Sequence, residues 1–393
     1  MKGKIFLLYI RTGGGHLAPA RAIANYTDKN YPDDLEPVLI DGLSGAPESV
    51  RIIVEDGYRI LQNHAKWYYE MLYGVNKIIG IAKLNSLMVS RAIKPLLEER
   101  ILNEKPAKIV IFHFFLIEPI FGILKKYNLD IPVISVVTDP FTAHPVWFLN
   151  KVQEYIVFSS RVKEYALRKG ISKDKVHQFP FVLDEKYSTA LKQSEITQLK
   201  IKYDFDPLKK MILIIGGGDG IPKGKEILRK LIFEIKDAEI AIVCGKNREL
   251  FDFANRLRNN NFFLNLKVFT YVDFIYELLN MSDLVVTKCG ASTFMEVLLS
   301  RKIPIVNSYI WEQEKGNVEF LTDNNLGIYE KRIGKLPELV QQLLADNQLY
   351  DSYISNIDKA NLINGTPLVC EFIVNRWKKE SILPDSHVYQ SKE

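Results

Sequence analysis

The chain has 393 residues, 47% of them hydrophobic and 25% charged, with a formal net charge of +5 at pH 7. That length exceeds one ordinary core and suits two domains of about 150–200 residues each, and no apolar run approaches the roughly 18 residues a transmembrane helix needs. The cysteines Cys244, Cys289 and Cys370 are widely spaced, which fits neither a disulfide framework nor a zinc site and points to a reducing cytosol.

The first predicted element is a strand, Lys4–Ile10. Basic residues precede it as in a secretory leader, but the apolar run ends after Ile10 at Arg11, too soon for a leader's core. Thr12-Gly13-Gly14-Gly15-His16 is the turn, and Leu17–Tyr26 the helix, whose Ala18, Ala20, Ala22 and Ala24 permit close packing. Glycines here let the backbone approach a ligand. The spacing Gly13-x-Gly15-x-x-Ala18 also meets a loose dinucleotide fingerprint. Asp41, after the strand Pro37–Ile40, stands where a ribose-binding acid would. An NAD-dependent oxidoreductase is therefore the rival reading. His16 favours another chemistry: its ordinary pKa near 6.5 suits removal of a proton from an acceptor hydroxyl. The bland alternative is a helix-start histidine that only bonds the turn.

Between Tyr58 and Leu96 lie Arg59, Lys66, Lys77, Lys83, Arg91 and Lys94 against the single acid Glu70, so the rest of the chain is formally neutral. Trp67, Tyr68, Tyr69, Met71, Leu72, Tyr73 and Ile78-Ile79-Gly80-Ile81 are interleaved with these charges. The mixture describes helices touching an anionic membrane surface, or else a solvated helical face with a buried opposite side. No nucleic-acid recognition motif accompanies it.

A third strand, Lys108–His113, leads to a helix over Phe114–Tyr127, and Pro132–Val137 is the fourth strand. It runs into Thr138-Asp139-Pro140-Phe141-Thr142-Ala143-His144-Pro145-Val146-Trp147. Asp139 is placed to orient His16 or to bind acceptor hydroxyls. His144 is a candidate ligand contact, or else a loop histidine buried beside Trp147. His113 either reaches the same crevice or packs. Glu154–Phe158, the helix Ser160–Lys169 and Val176–Phe179 complete a strand–helix alternation that implies a parallel sheet covered on both faces.

Asp184–Pro207 reads as a polar linker holding one exposed helix. The second half opens with the strand Lys210–Ile215 and Gly216-Gly217-Gly218-Asp219-Gly220, a backbone nest for phosphate, with Pro222 in the first turn of the next helix. The strand Glu239–Val243 ends in Cys244-Gly245-Lys246, with no acid to hold a ribose, which argues against the dinucleotide reading. Three strand–helix units follow: Leu266–Thr270 to Val272–Met281, Leu284–Thr287 to Thr293–Leu299, and Ile303–Val306 to Gln313–Asn324. The helix opened by Gly290 and Ala291-Ser292-Thr293 presents free amides and a positive dipole end to phosphate. Glu296, one turn in, suits a vicinal diol, while Gln313, Glu314 and Asn317 add amide and carboxylate groups. Lys288 balances phosphate charge or is simply solvated. The one Asp-x-Asp pair, Asp204-Phe205-Asp206, lies in the linker, so no obligatory divalent metal is expected. Helices over Pro337–Leu344, Asp351–Leu362 and Thr366–Lys378 close the chain.

The segment Gly290-x-Ser292-Thr293-x-x-Glu296, followed by Gln313-Glu314-x-Gly316-Asn317, resembles the donor site of inverting GT-B glycosyltransferases. It looks closest to monogalactosyldiacylglycerol synthases and processive diacylglycerol glucosyltransferases, and more distantly like the peptidoglycan N-acetylglucosaminyltransferase. Gly13-Gly14-Gly15-His16 is similar to the family's catalytic-base motif, and T-D-P-x-x-x-H-P-x-W resembles the acceptor loop of its lipid-glycosylating branch. The resemblance implies an α/β GT-B fold, two Rossmann-like domains with parallel sheets facing across a cleft. Residues 1–185 would bind acceptor, with membrane-facing helices over about 58–100, and 186–365 would bind the nucleotide sugar. The helix and tail 366–393 would return to the first domain.

It further implies a hexosyl transfer from a UDP-sugar to a diacylglycerol-type lipid, with no cofactor beyond that co-substrate. His16 would be the base, assisted by Asp139, with Gly14, Gly15, His144 and Trp147 on the acceptor side. Gly217, Gly218, Lys288, Gly290, Ser292 and Thr293 would cradle the diphosphate, and Tyr271 and Val272 the uracil through their backbone. Glu296 would hold the ribose, Gln313 and Glu314 the sugar hydroxyls, and Asn317 would complete the donor site. The partners implied are a UDP-sugar, a lipid acceptor and an anionic membrane, for a cytoplasmic protein on the inner face of the cell membrane. The alternatives are a UDP-N-acetylglucosamine-dependent transferase or nucleotide-sugar 2-epimerase on the same fold, and a non-enzymatic nucleotide-sugar or lipid-binding module. Pro140 with Phe141-Thr142-Ala143, and Trp311-Glu312 in place of Pro-Gly, depart from the family's commoner pattern. No residue selects glucose over galactose.

Overall fold

The strand–helix alternation resolves into two six-stranded, all-parallel sheets. The computed structural model describes residues 2–11, 14–52, 54, 79–261, 263 and 265–375. The chain divides into two compact units: Met1–Glu185 with Trp311–Gln313 and Asn364–Glu393, and Lys186–Ile310 with Glu314–Ile363.

The strands of the first unit are β1 (Gly3–Tyr9), β2 (Leu35–Asp41), β3 (Lys108–Ile111), β4 (Val133–Val136), β5 (Glu154–Val157) and β6 (Val176–Gln178). Their order is β2-β1-β3-β4-β5-β6. Ile5 to Ile10 and Ile109 to Phe112 are buried without alternation, as expected of strands covered on both faces. Chain direction across the sheet reverses between β1 and β3, so the crevice at their carboxyl ends is the topological switch point where such folds take ligands. Glu98 and Glu104, on the long helix Ile79–Glu104, bind Lys126 and Lys4 and fasten it to its neighbours.

The helix after β1 runs over Gly14–Asn30, longer than the expected Leu17–Tyr26, so His16 lies in its first turn rather than before it. Ala20, Ala22, Ile23 and Ala24 form its buried side. The element after β3 also differs from expectation. A 3-10 turn over Phe114–Leu116 precedes the α-helix Ile117–Lys126. Pro119 explains the break, since a proline is accommodated within the first helical turn but not deeper. The helix Thr366–Asn375 packs on Gly14–Asn30, where Thr27 Oγ1 meets Cys370 Sγ at 3.7 Å. Asn364 fixes its entry by accepting from the Leu183 amide and donating to the Leu183 and Asp184 carbonyls.

The second unit holds β7 (Lys210–Ile215), β8 (Ala238–Val243), β9 (Leu266–Phe269), β10 (Leu284–Lys288), β11 (Ile303–Ser308) and β12 (Ile328–Tyr329), ordered β12-β11-β10-β7-β8-β9. Its switch point lies between β7 and β10. The presumed linker contains the 3-10 turn Glu185–Ser188 and the helix Gln193–Lys202, which packs on the helix Ile275–Met281. Pro222 precedes its helix instead of entering it: Gly224–Glu234 starts after Lys223, which has a left-handed φ of 57°. Residues 58–78 of the basic aromatic segment lie outside the described residues. Among the described residues no helix is long and apolar enough to cross a membrane.

Candidate active-site residues in the two units

In the first unit the loops after β1 and β3 bring two imidazoles together, with ring centroids of His16 and His113 4.6 Å apart. His16 Nδ1 lies 2.7 Å from the Phe112 carbonyl and 2.8 Å from Thr138 Oγ1. A carbonyl oxygen can only accept, so Nδ1 carries the proton and shares it with Thr138, and Nε2 keeps the basic lone pair. Burial lowers the His16 pKa to about 4, against a smaller opposing pull from the Phe112 carbonyl. The expected value near 6.5 is thus corrected downward, and the ring is a neutral acceptor at pH 7. His113 accepts from the Phe115 amide through Nδ1. Burial, then the neighbouring His16, holds its pKa well below the ordinary value.

The loop after β4 supplies Thr138 and Asp139. Trp147 Nε1 donates to Asp139 Oδ2 at 3.3 Å, and Trp147 has 0% exposure. Direct acceptor contact, expected of Trp147, is therefore corrected: its indole fills the core and anchors Asp139. His144 is likewise buried, its Nδ1 accepting from the Val146 amide and its ring stacked on Phe114. That matches the alternative of a loop histidine inside the fold. Gly14 and Gly15 face open space. Asp41 has one oxygen on Arg11 at 3.0 Å and the other on the Leu43 amide, which removes the rival reading's ribose ligand.

In the second unit the loop after β7 turns on itself, the Gly220 amide donating to the Gly217 carbonyl. Gly245, after β8, closes against it: the Lys246 amide donates to the Gly218 carbonyl at 2.8 Å, and a Cβ on Gly245 would sit 2.3 Å from that oxygen. Only glycine permits that approach, and its φ of 60° adds a second reason. Gly218 itself opens outward, with nothing within 4 Å of a built Cβ.

After β10, Gly290 caps the helix Ala291–Leu299 without a side-chain hydrogen bond, leaving its first-turn amides to a ligand. Ser292, Thr293 and Glu296 are half-buried on this helix, Tyr271 is exposed and Val272 half-buried before the helix Ile275–Met281. That helix starts later than the expected Val272 because Tyr271 to Phe274 form the turn. Lys288 Nζ pairs with Glu314 Oε1 at 3.1 Å, and Glu314 Oε2 accepts from the Ile310 amide. Asn317 is buried and donates to the Cys289 carbonyl, tying the β10 turn to the helix Lys315–Asp323. Gln313 is half-buried, its amide bonded to the Trp311 carbonyl. Sequence reasoning missed the hold of Phe112 and Thr138 on His16, though the motif Thr138-Asp139 was visible. It also missed the Lys288–Glu314 pair.

Residues 16–181 match the family Monogalactosyldiacylglycerol (MGDG) synthase, and residues 211–364 match the Glycosyltransferase family 28 C-terminal domain. The chain is 29% identical to the processive diacylglycerol beta-glucosyltransferase of Bacillus subtilis, over 94% of this chain and 94% of that protein. It is 26% identical to the chloroplastic monogalactosyldiacylglycerol synthase of Spinacia oleracea, over 86% of this chain but 66% of that protein's length. The fold is similar to that of Acinetobacter baumannii MurG, with a TM-score of 0.56 at 13% identity, covering 96% of this chain and 100% of that one.

Proposed function

Because the chain is a GT-B glycosyltransferase of the monogalactosyldiacylglycerol synthase and processive diacylglycerol glucosyltransferase type, we propose that it moves a hexose from a UDP-sugar to a diacylglycerol-type hydroxyl with inversion. The observation that carries the mechanism is the neutral His16, whose tautomer the Phe112 carbonyl fixes. Nε2 takes the acceptor proton as the hydroxyl oxygen bonds to the anomeric carbon and the bond to the diphosphate oxygen breaks. A base of low pKa acts late, when the forming glycosidic bond has made the hydroxyl proton acidic. The proton ends on Nε2 and the electron pair on UDP.

The second unit supplies the donor contacts. The outward-facing Gly217 and Gly218 and the amides after Gly290, with Lys288, take the diphosphate. Glu296 holds the ribose diol and the backbone of Tyr271 and Val272 the uracil, while Gln313, which groups with the first unit, holds the sugar. Fixed amides and an ammonium stabilise departing charge without the reorganisation that water would need. No divalent metal is then required, and treatment with EDTA should leave turnover intact. In the first unit Asp139 binds the acceptor hydroxyl region, and Gly14 and Gly15 face open space at the start of the His16 helix.

The basic aromatic segment supports action at an anionic membrane surface on the cytoplasmic side. Sedimentation with anionic vesicles at low salt measures this, and absence of binding removes the membrane element. The reaction itself is tested by incubating the protein with UDP-glucose, UDP-galactose and UDP-N-acetylglucosamine beside a lipid panel, with products read by mass and anomeric configuration. Glycosylated diacylglycerol of inverted configuration is expected. Consumption of a UDP-sugar without acceptor, giving an epimer, would replace the transferase reading with the epimerase one.

A further inference from the structure

Glu314 belongs by sequence with the groups that would hold the sugar, yet its surroundings give it another task. Its carboxylate is buried, with one oxygen on Lys288 and the other on the Ile310 amide. We propose that Glu314 is a positioning residue that holds the Lys288 ammonium over the start of the helix Ala291–Leu299. By neutralising that charge, it limits how tightly the site keeps the departing nucleoside diphosphate. This rests on the donor-site reading above.

Three features place the pair there. The register of β10 on β11 shifts between Thr287 and Lys288, so that Lys288 pairs with Ser308. Such irregularities re-aim a side chain at the end of a strand. A Cβ built on Gly290 would lie 3.2 Å from Lys288 Nζ and 3.4 Å from Glu314 Oε1, so the ion pair rests against the helix cap itself. Beside the same turn, Asn317 is 2% exposed, and its Oδ1, like Ser292 Oγ, has no hydrogen-bond partner among the described residues.

The consequence is electrostatic. Glycosyl transfer leaves UDP with one more negative charge than the UDP-sugar carried. A lone ammonium at the helix start would reward that extra charge with tighter product binding. A neutral Lys288–Glu314 pair rewards it less, because the carboxylate offsets the ammonium at short range. The helix amides and a charge-balanced lysine then stabilise the leaving group without trapping it.

The test uses UDP without sugar, titrated calorimetrically into the full chain, so that sugar contacts play no part. Glu314→Gln keeps an acceptor for the Ile310 amide and removes the charge. UDP should bind roughly three- to tenfold more tightly, and product inhibition should strengthen in step. A glutamate that serves the sugar or only the fold would leave UDP binding unchanged or weaker, and that result, in a variant that melts like the wild type, overturns the proposal. Should Glu314→Gln not fold, Lys288→Met decides. It should weaken UDP by about tenfold, and unchanged affinity refutes the assignment. If the wild-type chain takes up no UDP, the donor-site reading itself fails and this inference falls with it.

Discussion

His16 and Phe112 are joined by a 2.7 Å hydrogen bond from imidazole Nδ1–H to a backbone carbonyl at the end of β3. Because that carbonyl cannot donate, the bond leaves Nε2 as the ring's only proton acceptor. Replacing His16 with alanine should therefore lower kcat by about 10²- to 10⁴-fold. UDP affinity should not change, since the proposed nucleotide contacts lie in the second unit. Turnover within about threefold of wild type, in a variant that still melts cooperatively, would remove His16 from the chemistry.

The same burial makes stability depend on pH. Unfolded, His16 takes up a proton near pH 6.5; folded, burial delays this to about 4. Between those values the unfolded chain binds more protons, so stability present above pH 6.5 is lost as pH falls toward 4. The full loss from His16 is about 3 kcal/mol, of which roughly 2 kcal/mol falls between pH 7 and pH 5. His113 is shifted in the same direction. Denaturant unfolding at pH 7 and pH 5 measures this. Wild type should lose stability over the interval and His16→Ala should lose less. In kinetics, the acid limb of kcat/KM should fall nearer pH 4 than 6.5.

Two glycines of the second unit should respond in opposite ways. A Cβ on Gly245 would meet the Gly218 carbonyl at 2.3 Å on a backbone already at φ 60°. Gly245→Ala therefore has to open the loop and should cost about 2–4 kcal/mol. A Cβ on Gly218 meets nothing within 4 Å. Gly218→Ala should melt like wild type but bind UDP several-fold more weakly, because the new methyl stands where the diphosphate would approach. Thermal melts with and without UDP distinguish the two. Equal melting temperatures for both variants would contradict this account of the loop.

Much of this was legible in the sequence because its signals are local. Apolar runs such as Ile5 to Ile10 and Leu284-Val285-Val286 mark strands buried on both faces, and each candidate residue follows one within a few positions. What was not legible depends on distance or on atoms without a side-chain signature. The partner of His16 is a carbonyl 96 residues away, and any residue type could have supplied it. The Lys288–Glu314 pair spans 26 positions and needs a strand irregularity to form. The first helix begins before the expected residue because glycines, poor in a helix interior, are tolerated in its opening turn. Trp147 looks like a binding residue in a polar loop, and only packing shows that the loop turns it inward.

Trp147 Nε1 reaches Asp139 Oδ2 at 3.3 Å while the ring lies beside Phe114, with centroids 5.7 Å apart. Phenylalanine keeps an aromatic ring in the core but removes the donor, so Trp147→Phe tests the hydrogen bond more than the packing. Loss of volume and of one part-buried hydrogen bond should cost about 1–3 kcal/mol. If Asp139 serves the acceptor and the indole holds it in place, KM for the lipid should rise several-fold while KM for the UDP-sugar stays constant. Steady-state kinetics with each substrate varied in turn measures the split. Equal rises in both would mean that Trp147 supports the fold alone and that Asp139 needs no help from it.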